Sequence, residues 1–249
     1  MYKIILIKLF TFCVIGCFSQ GKLGISASVS NQGQVDKTLE DFYSLNFPYG
    51  FAIQEYTNKT VGSNLKYNLS LSCNIRDSIN FRLRIGYASR SSSYEQDYPA
   101  MYWTKSDKHE NIEICPSFGF TRNKGIFSFN AGIELPFYYI FDYTQYLNNK
   151  SYDTSMQLTQ ESEVNIKIDG GYIFGINNFL NVKLKLVKSL FLFSEVNFGL
   201  MYAYLGGKYE RTNTEIYPTS SDSYQTFDKT FTKLFFSPPQ LQLGCIFEF

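Results

Sequence analysis

The chain is poor in the residues that most enzyme and cofactor chemistry requires. It holds one histidine and one tryptophan in 249 residues, so no histidine-based metal set can be assembled from it. No GxSxG, HExxH or glycine-rich phosphate loop occurs, and no cofactor motif is present. The formal net charge is +1, without the basic excess that nucleic-acid binding needs. Cysteine is sparse: Cys13 and Cys17 fall near the N-terminus, leaving Cys73, Cys115 and Cys245. Three is odd, so at least one is unpaired. Cys115 falls in the opposite phase from Cys73 and Cys245, so a bridge from it to either would have to cross the sheet; with CxxC missing and no His nearby, a zinc site is not expected. Long apolar runs are also lacking, which removes the transmembrane helix as a solution.

The first segment reads as an export signal. Lys3 and Lys8 supply positive charge, Leu9–Ile15 is a short apolar run, and Cys17 and Ser19 place small residues before a cut at Gln20. Residues 1–19 are therefore assigned to a signal peptide and residues 20–249 to a single mature domain. A rival reading takes Val14-Ile15-Gly16-Cys17 as a lipoprotein box with Cys17 as the lipidated residue.

What the chain does have is period-two alternation. Aromatics make up 18% of it, with 20 Tyr and 24 Phe, types that favour strands and collect at membrane–water interfaces. Eight stretches alternate apolar and polar residues: Lys22–Ser30, Asn64–Asn74, Ile79–Ser89, Glu110–Thr121, Phe127–Leu135, Val164–Leu186, Leu190–Tyr204 and Leu241–Phe249. The mean hydropathy of −0.18 fits a barrel whose strands show lipid only every second residue. The connections alternate too. Ile75–Ser78, Arg122–Gly125 and Val187–Ser189 are short, with Gly125 placed to supply a positive φ. Asn31–Ser63, Arg90–His109, Tyr139–Glu163 and Leu205–Thr230 are long. Short periplasmic turns and long extracellular loops make this pattern that of an eight-stranded antiparallel transmembrane β-barrel. A soluble eight-stranded calyx with its apolar face inward is the structural rival.

The last strand carries Leu241, Leu243, Phe247 and Phe249 in alternation. On these residues the chain resembles bacterial outer-membrane β-barrel proteins, in particular the small eight-stranded class of OmpA and OmpX type. The resemblance implies an outer-membrane location, outer-membrane lipids as surroundings, and Phe247 and Phe249 as the signal read by the barrel assembly machinery.

An eight-stranded barrel has room inside for side chains only. The inward phase holds Lys66, Arg82, Arg84, Lys183 and Lys185 with Glu113, Glu134, Asp169, Glu195 and Glu248. Buried charges are costly unless paired, so a mutually neutralised network is expected, either as a filled core or as a charged constriction. The four long segments carry more acidic than basic residues. They also carry aromatics: Phe42, Tyr43, Phe47, Tyr49 and Phe51 in the first, Tyr94, Tyr98, Tyr102 and Trp103 in the second. These suit recognition or strand extension equally, and Phe47–Tyr56 could form an extra hairpin. The lone His109 is in the inward phase with no Ser in the matching phase nearby, which argues against a lipid-modifying enzyme. The expected role is a non-enzymatic structural or surface-interaction protein. A narrow porin-like channel and an accessory barrel of a secretion or envelope machine are the alternatives. No extracellular ligand or envelope partner is identifiable.

Overall fold

The computed structural model describes residues 22–31, 35, 37–39, 41–42, 58–61, 65–75, 78–98 and 101–249. The expected signal segment, the Cys17 site and the possible Phe47–Tyr56 hairpin lie outside the described residues. Twelve strands make up nearly all of what is described: β1 (Lys22–Asn31), β2 (Asn58–Val61), β3 (Leu65–Ile75), β4 (Ile79–Tyr98), β5 (Met101–Lys124) and β6 (Phe127–Glu134) come first. They are followed by β7 (Phe137–Ile140), β8 (Tyr143–Tyr152), β9 (Leu158–Ile168), β10 (Gly171–Lys185), β11 (Leu190–Tyr217) and β12 (Ser221–Glu248).

These twelve occupy eight positions around a ring. β2 and β3 both pair with β4, β6, β7 and β8 all pair with β5, and β9 and β10 both pair with β11. All pairings are antiparallel between chain neighbours, and β1 closes the ring on β12 from Gly24–Glu248 to Ser30–Gln242. The seam is fastened by Phe249 N donating to Leu23 O at 2.9 Å and Leu23 N donating to Phe249 O at 3.2 Å. Closure leaves no free edge within the ring, which is what a bilayer demands of strands. At the β5–β6 turn Gly125 takes a φ of 63°, as that tight connection requires.

The ring turns its apolar residues outward. Ile25, Leu69, Ile85, Phe129, Ile176, Leu200 and Leu243 are exposed, while Ser26, Ser70, Arg84, Asn130, Asn177 and Gln242 on the alternate positions are buried. A soluble calyx would show the reverse. The aromatics divide by type. Tyr67, Tyr87, Ile112, Tyr139, Tyr172 and Tyr204 follow one another around six wall positions in direct cross-strand register, forming a tyrosine belt. Phe120, Phe127, Phe129, Phe247 and Phe249 occupy the opposite, short-turn end. Two aromatic rims around an apolar band are the mark of a membrane-spanning barrel.

Three of the segments expected as long loops, 90–109, 139–163 and 205–230, are mostly strand. β11 and β12 are 28 residues each, against about 9–11 needed to cross a bilayer. The connections themselves are short, residues 99–100, 153–157 and 218–220. A sheet formed by β4, β5, β8, β9, β11 and β12 thus continues from the barrel well past the tyrosine belt as an extracellular wall.

At the base of this wall the alternation slips. β7 ends at Ile140 and β8 begins at Tyr143, and both residues are buried, although they stand three apart. Ile168 of β9 and Ile173 of β10 are likewise both buried across Asp169-Gly170. Gly171 here has a φ of 141°, and a Cβ on it would lie 2.3 Å from Tyr204 O. Such irregularities flip every side chain beyond them. Ile166 and Ile168, which unbroken alternation from Val164 to Leu186 would put on the lipid face with Tyr172 and Phe174, therefore point into the barrel.

Candidate functional site

The lumen is filled at two levels by side chains of opposite character. The lower level is ionic. Lys66 Nζ lies 2.6 Å from Glu113 Oε2. Arg84 reaches three carboxylates, Glu113 at 3.1 Å, Glu134 at 3.0 Å and Glu195 at 3.1 Å. Arg82 grips Glu134 and Glu195, each at 2.5 Å. All six side chains are at most 8% exposed, and three cations face three carboxylates, so the cluster neutralises itself. Polar neighbours complete it: Asn181 donates to Glu195 at 2.9 Å, and Gln242 accepts from Arg84 at 3.1 Å while donating to Ser28 at 2.7 Å. Phe179 lies beneath the Arg82 guanidinium, 5.0 Å from ring centre.

Every wall position contributes to this layer: Ser28 from β1, Lys66 from β3, Arg82 and Arg84 from β4, Glu113 from β5, Glu134 from β6, Asn181 from β10, Glu195 from β11 and Gln242 from β12. The period of two places each on the inner face, and register stacks them at one height. Gly86 makes the space, because a Cβ there would stand 2.9 Å from Glu113 Oε2 and 3.2 Å from Lys66 Cδ. Buried charges without partners would cost several kcal/mol each, so mutual pairing is a condition of this core.

The other four residues expected in the network lie elsewhere. Lys183 and Glu248 pair with each other at 3.1 Å near the short-turn rim. Two assignments are corrected. Lys185 is exposed at the same rim, lining a recess of about 240 Å³ with Lys22 and Asn74. Asp169 sits in the strand irregularity, where its carboxylate accepts from Lys208 N at 2.8 Å, because the slip carries it out of the lumen phase. Phe247 and Phe249 are exposed on the lipid face beside the seam.

The upper level is apolar and was missed as a site. Residues 35, 37–39 and 41–42 are helical, and Val35, Leu39 and Phe42 enter the barrel mouth at no more than 2% exposure. They pack with Tyr138, Ile140, Ile168, Ile173, Met201 and Leu205. Lys233 holds the helix from β12 through Asp41 at 2.8 Å, and Phe42 meets Phe231 at 5.7 Å. Phe42, read from sequence as a loop aromatic, is thus an internal plug. The available signal was its spacing: 35, 39 and 42 follow i, i+4, i+7, which places them on one helical face. Tyr138 joins the two levels by accepting from Lys66 at 3.2 Å.

His109 faces inward and is buried. Among the described residues no group of His, Cys, Asp or Glu is placed to hold a metal ion.

A closed antiparallel ring of eight, apolar outside, polar and filled inside, with an aromatic belt at each end, defines an outer-membrane β-barrel. Among solved structures the chain is similar to a major outer membrane protein of Thermus thermophilus, with 11% identity, 92% of this chain and 100% of that one covered, and a TM-score of 0.42. It is also similar to CarO2 of Acinetobacter baumannii, with 12% identity, coverage of 93% and 100%, and a TM-score of 0.35. CarO of Acinetobacter baumannii shares 11% identity over 77% and 95%, with a TM-score of 0.30. No protein-family model and no curated protein matches the sequence.

Proposed function

We propose that this barrel is a non-enzymatic surface-interaction protein, acting from its extracellular wall rather than through its lumen. The observation that carries this reading is the double filling of the lumen. Ions or solutes would have to pass a neutral salt-bridged layer joined by side chains from all eight wall positions. They would then have to pass Val35, Leu39 and Phe42. Both layers weigh against a passive channel. The buried position of His109 weighs against lipid chemistry at the outer leaflet, since reacting groups must be reachable by substrate. The wall supplies what the lumen does not: a tall, rigid, solvent-facing sheet on a fixed membrane base, the usual arrangement for recognition.

The test is site-specific photo-cross-linking in intact cells. A cross-linker at Thr104 or Thr214, on the outer face of the wall, is expected to form adducts with components other than this chain. One at Asn177, inside the barrel, is expected to form none. Adducts from Asn177 alone would overturn the reading.

A further inference from the structure

The outer face of the wall is not uniform. Just above the tyrosine belt a groove of about 630 Å³ crosses six strands, from β4 to β12. Its floor consists of two adjacent cross-strand rows. One runs Ser91, Lys108, Thr144, Lys167 and Glu210, and the other Ser93, Ser106, Tyr146, Asn165 and Thr212. Most of these side chains end in a hydroxyl or amide.

The charges beside the groove are paired locally. Lys108 meets Glu110 at 3.1 Å, Lys167 meets Asp142 at 3.0 Å and Lys208 meets Glu210 at 2.5 Å. Tyr224 donates to Glu210 at 3.0 Å. Hydrogen bonds from Lys208 and Tyr224 hold the Glu210 carboxyl below the usual carboxylate range. Every charged side chain of the two floor rows is thus paired, and Asp107, which also lines the groove, accepts from Ser92 at 2.6 Å, so the floor has no unmatched charge with which to select an ion. It offers alternating donors and acceptors, with Tyr146 and Tyr224 providing flat apolar faces. That combination suits the hydroxyls and C–H faces of a saccharide.

Position indicates where the saccharide comes from. The groove lies on the lipid-facing side of the protein, directly above the belt, and Tyr87 of the belt donates to Glu110 at its margin. An occupant there adjoins the headgroups of the surrounding leaflet. We infer that this groove binds the sugar headgroup of an outer-leaflet glycolipid whose acyl chains lie along the apolar band below. The inference rests on the wall reading above and names one ligand class for it.

The full chain is reconstituted with phospholipid and a glycolipid carrying an uncharged oligosaccharide headgroup, and lipids retained on the released protein are counted by native mass spectrometry. The protein is expected to retain the glycolipid in preference to phospholipid. Ser106→Trp and Thr212→Trp, which fill the floor, should each lower that retention about tenfold, the equivalent of losing one or two hydrogen-bonding sites. Ser155→Trp, at the β8–β9 turn, should leave it unchanged. Asn165→Ala, which adds no bulk, should lower it to a smaller degree and guards against misfolding of the tryptophan variants. Equal retention of phospholipid, or insensitivity to all three floor variants, would overturn the inference. So would equally tight binding of the deacylated sugar, which would make the ligand a soluble glycan. In any of these cases wall adducts from Thr104 or Thr214 would still stand, so failure here is distinct from failure of the wall reading.

Discussion

The two fillings of the lumen solve the same problem with opposite materials. The lower one is ionic and belongs to the wall: its side chains come from all eight positions and exist only when the ring is closed in register. The upper one is apolar and comes from the connection between β1 and β2, through Val35, Leu39 and Phe42. The first is coupled to barrel assembly itself, since a carboxylate such as Glu134 meets its partners only when strands far apart in sequence have met. The second adds to a barrel that is already closed. A buried ion pair is poor evidence for net stability, yet breaking one is severe because a charge is left behind. A buried apolar plug is graded, losing stability in proportion to what is removed.

Arg84→Ala should have the largest effect. It leaves Glu113, Glu134 and Glu195 facing only Lys66 and Arg82, one buried negative charge in excess, and should cost about 3–5 kcal/mol, measured by urea unfolding of the refolded barrel. A loss no larger than that of a surface substitution would remove the distinction between the levels. Next is the same strand tested on its two sides. Ile133→Arg, facing lipid on β6 between the two aromatic rims, should cost about 2–4 kcal/mol near the bilayer midplane, whereas substitution of inward Asn130 should be milder. Reversed sensitivities would revive a soluble calyx. Leu39→Ala should cost about 2–3 kcal/mol, with the barrel still closed and the loosened part confined to the mouth, as read by amide exchange of Ile140 and Leu205. Smallest is Lys233→Ala, which removes a partly exposed pair with Asp41. It should cost less than about 1 kcal/mol and fade with added salt.

The sequence disclosed the barrel and most of its ionic layer because both depend on parity alone. Lys66, Arg82, Arg84, Glu113, Glu134 and Glu195 fall on the inner face by counting in twos from any neighbouring apolar residue. Parity fails where a strand slips. From Val164 to Leu186 the alternation reads as one run, yet the irregularity at Asp169-Gly170-Gly171 reverses the face of Ile166 and Ile168. The adjacent glycines were the visible clue, since glycine inside a strand pattern often marks a bulge. The wall was hidden for a different reason. Above the membrane both faces of a sheet can be polar, as in β12 from Ser221 to Thr230, where every residue is exposed, and hydrophobic periodicity then carries no signal. The plug was legible only as a three-residue helical spacing inside a segment otherwise read as loop.

The central claim, that the lumen is filled, is tested most directly by single-channel recording of the refolded chain in a planar bilayer. The account predicts inserted protein with no stable open level, because Arg82, Arg84 and their carboxylates occupy the cross-section below the Leu39 and Phe42 plug. A reproducible open level in the unmodified protein would contradict it and make the charged layer the constriction of a pore.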